Sequence, residues 1–169
     1  MVEDPAAGFA ALLGEHQRLV YRIATSYARS RADVDDLAQE IATQAWRSFR
    51  TYDPQRRFST WLYRLALNVA ISWMRTEGPR RRQSVPYDAA LHEPAVHDDP
   101  EADDGMRILR GFIGSLTSLD RAVLLLYLEE RSLAEMADIL GITTTNLTTK
   151  ISRLKQRLAL HAEKHHGTR

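Results

Sequence analysis

Between Pro54 and Arg82 stand seven arginines, Arg56, Arg57, Arg64, Arg75, Arg80, Arg81 and Arg82, against one acid, Glu77. In a chain whose formal net charge is +1 this is a local positive field suited to a phosphate polymer. Within it the segment Phe58 to Arg75, FSTWLYRLALNVAISWMR, contains neither Gly nor Pro. Leu62, Leu65, Ala66, Val69 and Trp73 recur there at the spacing of one helical face, which predicts a core stripe. The same arithmetic puts Arg64, Asn68 and Arg75, with Ser72, on another side, so guanidinium forks for phosphate and an amide for a base edge share one ridge. Phe58, Trp61, Tyr63 and Trp73 are interleaved with the charges, a composition that suits stacking of unpaired bases. The plainer alternative makes Trp61 and Trp73 core and the arginines a solvated face.

A second stretch with binding chemistry is SLAEMADILGITTTNLTTKISRLKQRLALH, from Ser132 to His161. Ser132 and Glu135 have capping-box spacing, Met136, Ile139 and Leu140 face inward, and Gly141 can take a left-handed turn before Ile142 plugs the core. Thr143 or Thr144 then caps a helix with the stripe Leu147, Ile151, Leu154 and Leu158. Helix, tight glycine turn, helix is the arrangement that lays its second helix in a DNA major groove. Its other positions, Thr144, Thr145, Asn146, Thr148, Thr149, Lys150, Ser152, Arg153, Lys155 and Gln156, include no acid, and none follows until Glu163. Thr145, Asn146 and Thr149 suit base edges, and Lys150, Arg153 and Lys155 suit phosphates. A helical hairpin that merely packs is the alternative.

Both stretches need helical supports. Phe9, Leu12, Leu13, Val20, Ile23 and Tyr27 predict one helix from Gly8 to Arg29, with His16 packed on its stripe. Asp33 to Phe49 opens with acids and carries the stripe Val34, Leu37, Ala38, Ile41 and Ala45; Asp36, Gln39, Glu40 and Thr43 form the opposite face, solvated or set against a basic partner. TYDPQRR, Thr51 to Arg57, is a loop that delivers two arginines to Phe58. After Thr76 the pattern ends, and Glu77 to Gly105 holds four of the six prolines and the acidic run DDPEADD, Asp98 to Asp104. Such a segment reads as a flexible tether. Beyond it Ile108, Leu109, Phe112, Ile113 and Leu116 make an amphipathic helix, and Ser118 caps LDRAVLLLYLEE, apolar almost all round and therefore expected at the centre of its domain. The fold class is all-α: two small helical domains, 1–77 and 106–169, joined by a linker over 78–105, the second containing a helix-turn-helix.

No catalytic motif accompanies these surfaces. There is no glycine-rich phosphate loop, HExxH or GxSxG, and the acids gather in the tether or at helix starts, so neither an active site nor a cofactor is expected. His161 and His165 stand at i and i+4, a spacing able to clasp a metal, but a frayed hydrophilic terminus is the expected context. The absence of cysteine excludes disulfides and thiolate metal sites, and no run approaches a membrane span; a cytoplasmic, soluble protein is expected.

In order and spacing, DVDDLAQEIATQAWRSF, RFSTWLYRLALNVAISWMR and SLAEMADILGITTTNLTTKISRLKQRL resemble the two domains of bacterial sigma factors of the extracytoplasmic-function (ECF) type, over about residues 8 to 77 and 106 to 160. The resemblance implies a dissociable subunit of RNA polymerase that recognises and melts promoters. Its partners would be core polymerase, through the β′ clamp helices and the β subunit, and promoter DNA, with an anti-sigma factor as a further partner that the family allows. Asp36, Gln39 and Glu40 match the clamp-binding surface. Arg56 and Arg57, before Phe58, match the segment that captures a flipped −10 base, with Asn68 beside it. The helix from Thr144 matches the reader of the −35 element, although Thr148 and Lys150 replace the usual Lys-x-Arg pair. The short tether, without an intermediate domain, is what places the chain in the ECF group; its acids would mimic nucleic acid near the RNA-exit path or merely keep the linker extended. A stand-alone helix-turn-helix regulator is the other reading, and it has no use for the acidic face or the aromatic-arginine helix.

Overall fold

The computed structural model describes the backbone of residues 5–84 and 104–166, with side chains over 5–76 and 104–165. The helices are α1 (Pro5–Glu15), α2 (Gln17–Tyr27), α3 (Arg31–Ser48), α4 (Phe58–Ser84), α5 (Asp104–Gly114), α6 (Ser118–Leu128), α7 (Leu133–Leu140) and α8 (Thr144–His166), with a 3-10 turn at Phe49–Thr51. No strand occurs among the described residues. The helices fall into two units, one within residues 1–97 and the other within 98–169. Most of the tether, including the acidic run up to Asp103, lies outside the described residues, as do the side chains of Arg80, Arg81 and Arg82.

In the first unit α2, α3 and α4 pack mutually and α1 lies against α2. Ile23, Leu37, Ile41, Ala45, Leu62 and Ala66 are fully enclosed at their meeting point. The expected single helix from Gly8 to Arg29 is two. His16 breaks it: its backbone leaves the helical region (φ −110°, ψ 13°), and its Nδ1 lies 2.8 Å from the Leu12 carbonyl oxygen, which a continuous helix would reserve for the backbone. Helix α4, by contrast, outlasts its apolar stripe. It continues past Thr76 to Ser84, because ending the inward-facing pattern removes a reason to pack without removing the helix preference of arginine and glutamine.

In the second unit α5, α6 and α7 all pack on α8, and α6 also packs on α7. Helix α6 buries the consecutive residues Arg121, Ala122, Val123 and Leu124, and Leu126 beyond them, so its middle is enclosed on every side, and only its end leaves Tyr127 and Leu128 exposed, Leu128 by 53%. Its cap is Thr117, one residue before the expected Ser118: the Thr117 hydroxyl accepts from the Asp120 amide at 3.2 Å.

Candidate nucleic-acid and polymerase interfaces

Helix α3 starts at Ser30, whose hydroxyl accepts the Asp33 amide at 3.1 Å. With Val34, Leu37, Ala38, Ile41 and Ala45 buried as expected, Asp36 and Gln39 are exposed and Glu40 is half-buried on the far side. Gln44 Nε2 donates to Glu40 Oε1 at 2.8 Å, and the Thr43 hydroxyl turns back onto the Gln39 carbonyl at 2.8 Å. The Glu40 carboxylate is thereby steadied by a neutral donor that leaves its charge intact. Asp36, Gln39 and Glu40 form one polar ridge, acidic at two of its three positions.

The second surface is the loop into α4. Asp53 makes the turn: its carboxylate accepts the Gln55 amide at 2.9 Å and its carbonyl the Arg56 amide at 2.9 Å. The Tyr52 hydroxyl donates to the Arg56 carbonyl at 2.7 Å. The Tyr52 ring stacks on Phe49, with centroids 5.8 Å apart and planes 16° apart, and meets Phe58 at 5.4 Å and Trp61 at 5.3 Å. Phe49 continues this aromatic seam to Phe9, and Phe9 to Trp46. Arg56 and Arg57 are therefore exposed on a loop pinned from beneath. On α4 itself Arg64, Asn68, Ser72 and Arg75 are all exposed, one ridge as the spacing predicts.

Two expectations for α4 are corrected. Its innermost residues are Leu62, Tyr63, Ala66, Leu67 and Ala70, while Leu65, Val69 and Trp73 are half-buried shoulders. Phe58, expected at the DNA contact, is 6% exposed and meets the His16 ring in a T-shaped contact at 5.1 Å, so it supports the loop and offers no face to a base in the free chain. Tyr63, at 1% exposure, is core as well. Trp61 is half-buried in the aromatic seam. Spacing alone missed Tyr52; its position directly before the Asp53-Pro54 turn and six before Phe58 was the available signal.

In the second unit the Ser132 hydroxyl accepts the Glu135 amide at 3.2 Å, and the Glu135 carboxylate pairs with Arg131 at 3.0 Å. Gly141 takes φ +66°, the Ile142 amide reaches back to the Ala137 carbonyl at 3.2 Å, and the Thr143 hydroxyl caps α8 by accepting the Asn146 amide at 3.1 Å. Leu147, Ile151 and Leu154 are buried, and Ile142 and Leu158 half-buried. Directly opposite this stripe lie Thr145, Thr149, Ser152 and Gln156, all exposed. Asn146, Lys150, Arg153 and Arg157 form one flank, and Thr144, Thr148 and Lys155 the other.

The cations expected to hold phosphates differ in their surroundings. Arg153 is exposed and, among the described residues, has no ion pair. Lys150 Nζ is 3.3 Å from Asp120 Oδ1, and the Lys155 ammonium sits over the Tyr127 ring, 4.9 Å from its centroid. Helix α8 is regular to His166, so the frayed terminus expected there is also corrected. His161 packs on Phe112 with centroids 5.6 Å apart, and no group of three or more possible metal ligands gathers among the described residues. No helix among them is long and apolar enough to cross a membrane.

Comparison with known proteins places the two units. Residues 12–80 match the model of sigma-70 region 2, and residues 106–158 that of sigma-70 region 4. The ECF RNA polymerase sigma factor SigK of Mycolicibacterium vanbaalenii is 30% identical over 160 residues, covering 92% of this chain and 80% of the relative. The ECF sigma factor SigE of Mycolicibacterium smegmatis is longer: at 28% identity the match covers 91% of this chain and 61% of that protein. Among solved structures, the sigma factor RpoE of Bartonella quintana, in complex with the anti-sigma factor NepR, shares the fold with a TM-score of 0.73 at 19% identity, over 92% of this chain and 97% of that one. Regions 2 and 4 in order, on the helices that the sequence predicts to bear the polymerase and DNA surfaces, with relatives aligned across both, establish that the chain belongs to the ECF family of RNA polymerase sigma factors.

Proposed function

We propose that this chain binds core RNA polymerase through Asp36, Gln39 and Glu40, reads the −35 element with α8, and captures an unpaired −10 base beside Asn68. The sigma-family membership supplies the partners, core polymerase and promoter DNA, and makes the chain an initiation factor whose polymerase performs the catalysis. The observation that carries the residue-level reading is the pinned loop beside the exposed Arg64–Asn68–Ser72–Arg75 ridge. Extruding a base costs a few kcal/mol, which a rigid loop with arginines for the freed strand can offset without first losing entropy of its own. Asn68 offers an amide to the extruded edge, and Arg56, Arg57, Arg64 and Arg75 offer guanidinium groups to the backbone. On α8, Thr144, Thr145, Asn146, Thr148 and Thr149 are placed for the groove, with Arg153 on a phosphate. A stand-alone helix-turn-helix regulator would leave the first unit without a role. The anti-sigma partner of the structurally similar RpoE supports a regulatory protein for this chain too.

The test uses a promoter mapped by run-off transcription with core polymerase on genomic fragments. Asn68→Ala and Arg56→Ala should impair strand opening, read as permanganate reactivity of unpaired thymines, more than polymerase docking on the same promoter. A template already mismatched across the −10 region should rescue both. Failure of that rescue would mean that these residues dock duplex or hold the fold, and the melting role would be withdrawn.

A further inference from the structure

Asp120 lies in the first turn of α6 and faces two cations of the recognition helix: Oδ1 is 3.3 Å from Lys150 Nζ and Oδ2 3.3 Å from Arg157 Nη1. Its side chain is 17% exposed, whereas that of Arg157 is 45% exposed. Lys150 and Arg157 belong to the same flank of α8 as Arg153, the flank whose cations have the chemistry for a DNA backbone. A carboxylate with each oxygen on a different cation is placed as a phosphate oxygen pair would be. The Thr117 cap fixes the amide of Asp120 itself, so the carboxylate is presented from an anchored backbone.

We propose that Asp120 is a built-in counter-anion that restrains sequence-independent DNA binding by the recognition helix, a specificity-determining residue that touches no base. With it in place the Asp120–Lys150–Arg157 cluster has a net charge of +1, from two cations and one anion; without it, +2. Backbone attraction is the part of DNA affinity that every sequence shares, so lowering it raises the relative weight of base contacts. This rests on α8 being the DNA-reading helix, and the experiment separates the two claims.

The assay is fluorescence anisotropy of the full chain with a labelled duplex of arbitrary sequence, titrated over a range of salt. Asp120→Asn should bind more tightly and steepen the log–log salt dependence by about 0.9 to 1.8, the increment for one or two further phosphates. Asp120→Glu, which keeps the charge, should restore the parent slope. Adding Lys150→Gln and Arg157→Gln to Asp120→Asn should abolish the gain. Equal slopes for Asp120→Asn and the parent, with both folded, would overturn the proposal. If Asp120→Asn melts early, Asp120→Ser makes the same charge change with a residue suited to a first turn. Should both neutral variants unfold, Asp120 is a fold anchor and the proposal fails. Arg153→Gln tests the foundation: if it leaves duplex binding untouched, α8 is not the DNA contact and the reading beneath the proposal falls first.

Discussion

Replacing Tyr52 by Phe removes one oxygen and leaves the ring. The lost hydrogen bond joins the Tyr52 hydroxyl to the Arg56 carbonyl at 2.7 Å, and it ties the loop tip to the aromatic seam beneath. A net hydrogen bond contributes about 0.5–1.5 kcal/mol, and because Arg56 is exposed, water can satisfy its carbonyl, so about 0.5–1 kcal/mol applies. The ordered-to-disordered ratio of the loop should fall roughly two- to fivefold, and permanganate-detected opening should slow by at most that factor while docking is unchanged. Stability should fall by no more than that hydrogen bond, since Phe keeps the contacts with Phe49, Phe58 and Trp61. Tyr52→Ala separates the two contributions: losing three aromatic contacts at about 0.5–1.5 kcal/mol each, apart from the buried area, should lower the melting temperature of the first unit visibly. A mismatched −10 template should rescue Tyr52→Phe. If Tyr52→Phe opened promoters at the parent rate, the argument that the hydroxyl orders the arginine loop would be refuted.

Glu40→Lys should replace attraction for a basic partner surface with repulsion of several kcal/mol, abolishing co-purification with core polymerase while the circular dichroism stays helical; unchanged co-purification would move the contact elsewhere. Asn146→Ala should change which −35 sequences are used, with about 1–3 kcal/mol of discrimination at the affected base pair, whereas Arg153→Ala should weaken all sequences alike and reduce the salt slope by about 0.9; selection among randomised −35 elements distinguishes them. Gly141→Ala should cost about 1–2 kcal/mol from the left-handed backbone alone, because a Cβ there meets nothing within 4 Å; Glu130→Gly, at φ 56°, should be neutral or slightly stabilising, and thermal unfolding reads both.

Those last two residues show where sequence is eloquent and where it is silent. The turns after α6 and α7 close with the same long-range bond, Arg131 amide to Leu126 carbonyl and Ile142 amide to Ala137 carbonyl, each at 3.2 Å. Gly141 advertises its turn; Glu130 does not, since its conformation is imposed by the packing of α6 against α7 and α8. Likewise the α8 stripe is legible because polar residues bound it on both sides, whereas α4 offers Leu62, Tyr63, Leu65, Ala66, Leu67, Val69 and Ala70 within nine residues. Periodicity could not decide which of those faces inward, and the choice fell one position off. Phe58 was misplaced for another reason: its type suits nucleic acid, and only its tertiary surroundings, the aromatic seam, occupy it otherwise. The polar faces, Asp36–Gln39–Glu40 with Glu40 half-buried and Arg64–Asn68–Ser72–Arg75 exposed, keep the helical spacing that the sequence predicts.

The threonines of α8 add a constraint on readout. In the free chain the Thr148 hydroxyl donates to the Thr144 carbonyl at 2.8 Å and the Thr149 hydroxyl to the Thr145 carbonyl at 3.1 Å. With those protons committed to the backbone, each side chain can accept a hydrogen bond but not give one, and it also presents a methyl group. Such a pair complements the amino groups of adenine and cytosine and the methyl of thymine, and it has nothing to donate to the two acceptors of guanine. Guanine is the base most often read by Arg or Lys, and here the Lys-x-Arg spacing is replaced by Thr148 and a Lys150 already engaged by Asp120. A donor to the two acceptors of guanine would then have to come from another exposed side chain of this helix, such as the amide of Asn146 or of Gln156, with Arg153 kept for the phosphate backbone.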